Sequence, residues 1–142
     1  MITLETITDM WSQDSVIDDV LLDEASIKIP QLHAKYLGFH TEFSLLHKKA
    51  THELKTLQHK KTLYYSGKDL PEEYEKEPFP YKVMKSDVLS WVAVDESIQK
   101  VEMKLHYYDT VLSTISEILK QVHQMSYHIK SVIEWRRFTN GV

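Results

Sequence analysis

Apolar residues recur at three- and four-residue steps along most of this chain, and the two longest series predict two long helices. The first series is Leu32, Tyr36, Phe39, Phe43, Leu46, Ala50, Leu54, Leu57 and Tyr64, with Lys61 at the skipped step. That spacing lays one stripe along one helix face. Pro30 suits a first helical turn, where its missing N–H costs nothing, and Gly67 sits where a left-handed residue ends a helix. The expected helix therefore covers 30–67 and spans roughly 50 Å at about 1.5 Å per residue. Gly38 inside it costs up to about 1 kcal/mol relative to alanine.

The second series is cleaner. Asp95 is placed as an N-cap. One row of seven-residue steps runs Ile98, Leu105, Leu112, Leu119, Ser126, Ile133, and an interleaved row runs Val101, Tyr108, Ile115, Val122, Ile129, Arg136. Only Ser126 and Arg136 break this a/d pattern, which continues for about five repeats, as coiled-coil packing requires. No glycine or proline interrupts it before Gly141, so the second helix is expected over 95–139.

Shorter elements fill the remainder. Leu4, Ile7 and Trp11 share one face of a helix expected from about Thr3 to Asp14. A bend follows at Ser15 to Asp19, after which Leu21, Leu22 and Ile27 are expected to pack inward. Pro71, Pro78 and Pro80, with acids between them, make 68–94 a linker that reverses the chain, with a brief helical segment near Asp87 to Trp91. The predicted organisation is a single domain over 1–142. It comprises an acidic N-terminal segment (1–29), a first long helix (30–67), the linker and a C-terminal helix. The fold class is all-α, with two long helices packed like a coiled coil, short N-terminal helices and an oligomeric assembly.

Two such stripes exceed what a compact chain of 142 residues can bury. An antiparallel hairpin would satisfy part of each. Val111, Ile118, Val132 and Trp135 widen the second face further, and self-association is the natural partner for the excess. The oligomerisation seam is assigned to Ile98, Val101, Leu105, Tyr108, Leu112, Ile115, Leu119, Val122, Ile129 and Ile133.

Composition removes most chemistry. The chain has no cysteine, so disulfides, thiol nucleophiles and Cys-based zinc sites are excluded. Its three glycines, Gly38, Gly67 and Gly141, cannot form a phosphate-cradling loop. His33, His40 and His47 recur every seven residues, about 10 Å along a helix and too far apart to share one ion. No glutamate has a histidine three residues later, so a bundle-type metal site cannot be written either. No strand–turn–helix elbow exposes a serine. The expectation is a protein that is no enzyme and uses no cofactor or metal. No apolar run approaches the roughly 18 residues of a membrane span. The N-terminus lacks a basic leader, and the expected address is the cytoplasm.

Net charge is −4, but the charges are segregated. Every charge from Glu5 to Glu24 is acidic. Lys48, Lys49, Lys55, Lys60, Lys61 and Lys68 then stand against Glu53 alone, before acid returns at Asp69, Glu72, Glu73, Glu75 and Glu77. The end of the first long helix combines His59, Lys60, Lys61 and Lys68 with Tyr64 and Tyr65. Single-stranded nucleic acid is held by cations along its backbone and by aromatic faces on which bases stack. On the residues alone a second reading stands beside this one, in which Tyr64 ends the core stripe and the lysines solvate the outer face.

At this segment the chain resembles the UvsY family, the recombination mediator proteins of tailed phages. The likeness runs from Trp11 through Asp18 and Asp19 to the Tyr64-Tyr65-Ser66-Gly67 turn with its acidic linker, and on to Lys85-Ser86-Asp87. It continues through Tyr107-Tyr108 to the ending Ile129-Lys130-Ser131-Val132-Ile133-Glu134-Trp135-Arg136-Arg137-Phe138. The resemblance implies a non-enzymatic accessory protein of the host-cell cytoplasm. It implies ring-like oligomers, binding to single-stranded DNA, and help to a UvsX-type, RecA-like recombinase in displacing the phage single-strand-binding protein. It also implies that the basic residues just upstream of the Tyr-Tyr-Ser-Gly turn bind DNA. These positions fall on His59 and Lys61 with Lys60 between them, His59 standing where a lysine is expected. The alternative is a helical assembly or adaptor protein that binds only protein.

Overall fold

The computed structural model describes residues 1–141. Helix α1 covers Leu4–Asp14, α2 Leu22–Tyr65, α3 Pro71–Lys76, α4 Val88–Ala93 and α5 Glu96–Thr139, with a 3-10 turn at Lys85–Asp87 before α4. Among the described residues there is no strand, and no helix is long and apolar enough to cross a membrane. Contacts divide the chain into two compact units: residues 1–44 with the chain from Thr110 onward, and residues 45–109.

In the first unit, Thr3 caps α1 by accepting the Thr6 N–H (3.2 Å). Ile7 is fully buried, with Leu4 and Trp11 half-buried beside it, so the predicted docking face is present. Trp11 meets Tyr36 of α2 edge to face at 5.6 Å between centroids. Asp14, at the end of α1, accepts hydrogen bonds from Lys35 Nζ (2.6 Å) and the Tyr36 hydroxyl (2.8 Å). Burial pushes this carboxyl up, but the bonds from Lys35 and Tyr36 outweigh that and hold it below its ordinary value. Tyr36 and Phe43 of α2 and Val111, Ile115, Ile118, Val122, Met125 and Ile129 of α5 complete the core.

Helix α2 begins at Leu22, not at Pro30 as the proline suggested. The Asp18 carboxylate accepts the Val20 N–H (2.9 Å), the Leu21 N–H bonds the Asp18 carbonyl (3.1 Å), and the Ala25 N–H bonds the Leu21 carbonyl (3.0 Å). This turn feeds directly into the helix, and Asp23 and Glu24 complement its N-terminal dipole. Pro30 is thus an interior residue that leaves the Ser26 carbonyl without its helical donor. Ser26 and Pro30 are both exposed, so water can reach that carbonyl and no buried orphan results. The same extension overturns the inward packing expected of Leu21 and Ile27. Both are exposed, and only Leu22 is half-buried.

In the second unit, residues 45–65 of α2 and 96–109 of α5 run antiparallel. Two ion pairs, Glu53–Lys104 (3.1 Å) and Lys61–Asp95 (3.3 Å), and the contact of His47 Nε2 with an Asp109 carboxylate oxygen (2.8 Å) give the register. Val88 and Val92 of α4 and Ile98 of α5 form a buried cluster, against which Leu54, Leu57 and Tyr65 of α2 and Val83 pack. The end of α2 is a Schellman motif. The Lys68 N–H bonds the Leu63 carbonyl (3.0 Å), the Gly67 N–H bonds the Tyr64 carbonyl (3.2 Å), and Gly67 takes φ 77°. Residues 68–94, read as a linker with one helical segment, hold two short helices. Pro71 opens α3, and α4 answers to the segment expected near Asp87 to Trp91.

Candidate nucleic-acid interface

Helix α2 ends in His59-Lys60-Lys61-Thr62-Leu63-Tyr64-Tyr65, and its last turns present these side chains in two different settings. His59, Lys60 and Lys68 are exposed. Lys61, Tyr64 and Tyr65 are built into the unit instead.

Asp95 organises the built-in half. One carboxylate oxygen accepts the Ser97 N–H (2.9 Å), the Ile98 N–H (3.4 Å) and the Ser97 hydroxyl, which makes Asp95 the N-cap the sequence predicted for α5. The other accepts the Tyr65 hydroxyl (2.6 Å) and pairs with Lys61 Nζ (3.3 Å). One residue thereby ties the end of α2 to the start of α5. Burial pushes the Asp95 carboxyl up. The Ser97 and Tyr65 hydrogen bonds and the Lys61 charge outweigh that and bring it down to about 2. The same arrangement, burial first and the bond to Asp95 second, raises the Tyr65 hydroxyl well above its ordinary value.

Tyr64 is held as firmly. Its ring stacks on Tyr74 of α3 at 5.3 Å between centroids and 19° between planes, and its hydroxyl donates to the Glu77 carbonyl (2.8 Å). Lys61 Nζ lies 5.5 Å from the Tyr64 ring centre, within cation–π range. The Tyr74 hydroxyl donates to the Tyr64 carbonyl (2.7 Å) and accepts the Asp69 N–H (3.2 Å). A groove of about 260 Å³ beside these rings is lined by Lys60, Lys61 and Lys76 and also by Asp69, Glu73 and Glu77. The acids of the linker thus sit against the cations singled out in the sequence.

Residues that spacing did not pick out complete the cluster. Phe79 packs edge-on against Tyr65 at 5.0 Å and against Trp91 at 5.3 Å, and Tyr81 stacks on Trp91 at 5.7 Å. A signal for them was present: Phe79-Pro80-Tyr81-Lys82 interleaves aromatics with a cation, but outside any periodic stripe. The histidines form no cluster with acids that could hold a metal ion among the described residues.

The ten positions of the oligomerisation seam divide similarly. Ile98, Val101 and Tyr108 are buried in the second unit, with Leu105 half-buried. Ile115, Val122 and Ile129 are buried in the first, Leu112 and Leu119 are half-buried, and Ile133 is 42% exposed. Val111 and Ile118, which seemed to need a second partner, are buried in their own chain. Helix α1 lies beside this stretch of α5, Thr8 and Trp11 lining a cleft with Ile118. Apolar surface remains at Val132, Ile133, Trp135 and Phe138.

Fold and site together define a class: an all-α protein of paired long helices that carries an aromatic, cation-bearing cluster. The family described as "Recombination, repair and ssDNA binding protein UvsY" matches residues 10–142. The chain belongs to the UvsY family. The recombination protein uvsY of Enterobacteria phage T4 is 22% identical over 138 residues, 97% of this chain and 98% of that protein. One crystal form of the bacteriophage T4 recombination mediator protein UvsY superposes with a TM-score of 0.88 at 21% identity, covering 99% of each chain. A second crystal form gives 0.81 at 20% identity over 97% of this chain and 99% of that one.

Proposed function

We propose that this protein is a phage recombination mediator. It binds single-stranded DNA as a ring-like homo-oligomer in the host cytoplasm. There it promotes loading of a UvsX-type, RecA-like recombinase in place of the single-strand-binding protein, without catalysing a reaction itself. The observation that carries the reading is family membership over nearly the whole chain. The exposed cations Lys60 and Lys68, with exposed His59 beside them, at the end of α2 support it with a physical means of holding phosphates. Lys61 acts there chiefly by fixing the end of α2 on Asp95. Assembly through the part-exposed Leu105, Leu112, Leu119 and Ile133 would bring many copies of a weak patch together and raise its avidity.

The test is anisotropy of a labelled oligonucleotide against salt, with Lys60→Ala beside the parent. Each single-strand phosphate contact contributes about 0.7 to the slope of log affinity on log salt. Lys60→Ala should weaken binding and flatten that slope with stability unchanged. A parent that does not bind single strands would favour the adaptor reading, to which the exposed Trp135 and Phe138 are suited.

A further inference from the structure

The aromatic cluster of residues 45–109 contains rings of two kinds. Tyr64 and Tyr65 are hydrogen-bonded through their hydroxyls and covered by Tyr74 and Phe79. Tyr81 and Trp91 lie on the outside, 63% and 36% exposed. Their planes are within 29° of parallel at 5.7 Å between centroids. Phe79 braces both edge-on, at 5.6 Å from Tyr81 and 5.3 Å from Trp91, and Tyr65 backs Trp91 at 6.0 Å. Trp91 stands on α4, which is anchored by buried Val88 and Val92. The two rings are thus held in place by the fold while keeping surface open to solvent.

Two lysines follow Tyr81 in the chain, and the nearest acids beyond residues 78–94 are Glu77 and Asp95 at the two ends of that stretch. Lys82 and Lys85 are exposed and form no ion pair among the described residues, and Asp87 is the one acid in 78–94. Lysine is depleted in protein–protein interfaces. A strand of phosphates with unpaired bases, by contrast, offers counter-charges to the lysines and flat faces to the rings.

We infer that Tyr81 and Trp91 form a base-stacking platform for single-stranded nucleic acid, with Lys82 and Lys85 holding the phosphates beside it. The inference rests on the DNA-binding reading above and relocates the bases within it. Tyr64 and Tyr65 hold the cluster together, and Tyr81 and Trp91 meet the ligand.

The experiment compares full-length protein on labelled oligo(dT) and on an abasic phosphodiester strand of equal length. Tyr81→Ala should lose about 5- to 150-fold in affinity for oligo(dT) and stay within about twofold on the abasic strand, and Tyr81→Phe should retain both. Lys82→Ala/Lys85→Ala should weaken both strands. Tyr81→Ala binding oligo(dT) like the parent, or losing both strands equally, overturns the platform. So does a variant that binds DNA normally but fails to bind recombinase, which would make the surface a protein dock. A parent that binds neither strand overturns the DNA-binding reading and this one together. Loss in Lys60→Ala with none in Tyr81→Ala overturns the platform alone.

Discussion

Replacing Asp95 by alanine removes three things at once. Loss of the α5 N-cap costs about 1 kcal/mol. The Tyr65 hydroxyl loses its acceptor, and a hydrogen bond to a charged group contributes about 1.5–3 kcal/mol. Lys61 loses its counter-ion while its side chain is only 18% exposed, although rotation toward solvent recovers part of that cost. The expected total is about 3 kcal/mol, at the low end of what breaking a buried pair costs. For a chain of this length that lowers the melting temperature by roughly 9 °C. Asp95→Asn keeps a good cap and loses the charge, so it should cost about half as much. Circular dichroism melts and urea titrations at one fixed protein concentration provide the measurement, because the proposed assembly would make apparent stability concentration-dependent. Asp95→Ala within about 0.5 kcal/mol of the parent, the range of an ordinary surface change, would refute the account of this node. Equal losses in the asparagine and alanine variants would show that the charge carries the effect and the cap little.

The same node sets a pH dependence. Asp95 titrates lower in the folded protein, at about 2, than its ordinary 3.8, so its contribution is present above about pH 4 and disappears as pH falls toward 2. The stability gap between parent and Asp95→Asn should therefore narrow across that window, and a constant gap would contradict it. Gly38 lies inside α2, and a Cβ built there meets nothing within 4 Å. Gly38→Ala should therefore stabilise the protein by up to about 1 kcal/mol in urea, and destabilisation would contradict this account of the site. Charged replacements at half-buried Leu112 and Leu119 should lower the sedimentation coefficient by dissolving the proposed oligomer. An unchanged profile would remove these positions from the interface.

The architecture was largely legible because helix periodicity is a local property. The stripe from Leu32 to Tyr64 and the row from Val101 to Ile129 are the faces that the structure buries or half-buries. Gly67 and Asp95 end and start their helices by bonds to residues within four positions. Pro30 misled because proline is tolerated at a first turn and also inside a helix whose freed carbonyl faces water. Sequence could not show which of those readings applied.

The division of labour at the end of α2 was decided only in three dimensions. Spacing put His59, Lys60, Lys61, Tyr64, Tyr65 and Lys68 together as one basic, aromatic segment, because all lie within a few helical turns. The fold separates them. Asp95, thirty residues beyond Tyr65, takes Lys61 and Tyr65 into a structural node, and Tyr74 of the linker covers Tyr64. The open rings, Tyr81 and Trp91, come from a stretch that periodicity marked only as a linker. Likewise, Val111 and Ile118 looked like surplus apolar surface until α1 and α2 were placed beside them. Sequence alone determined the long helices and their apolar faces, since these follow from spacing along one segment. Which face, ring or cation stays free depends on segments far apart in the chain, and only the tertiary structure brings those together.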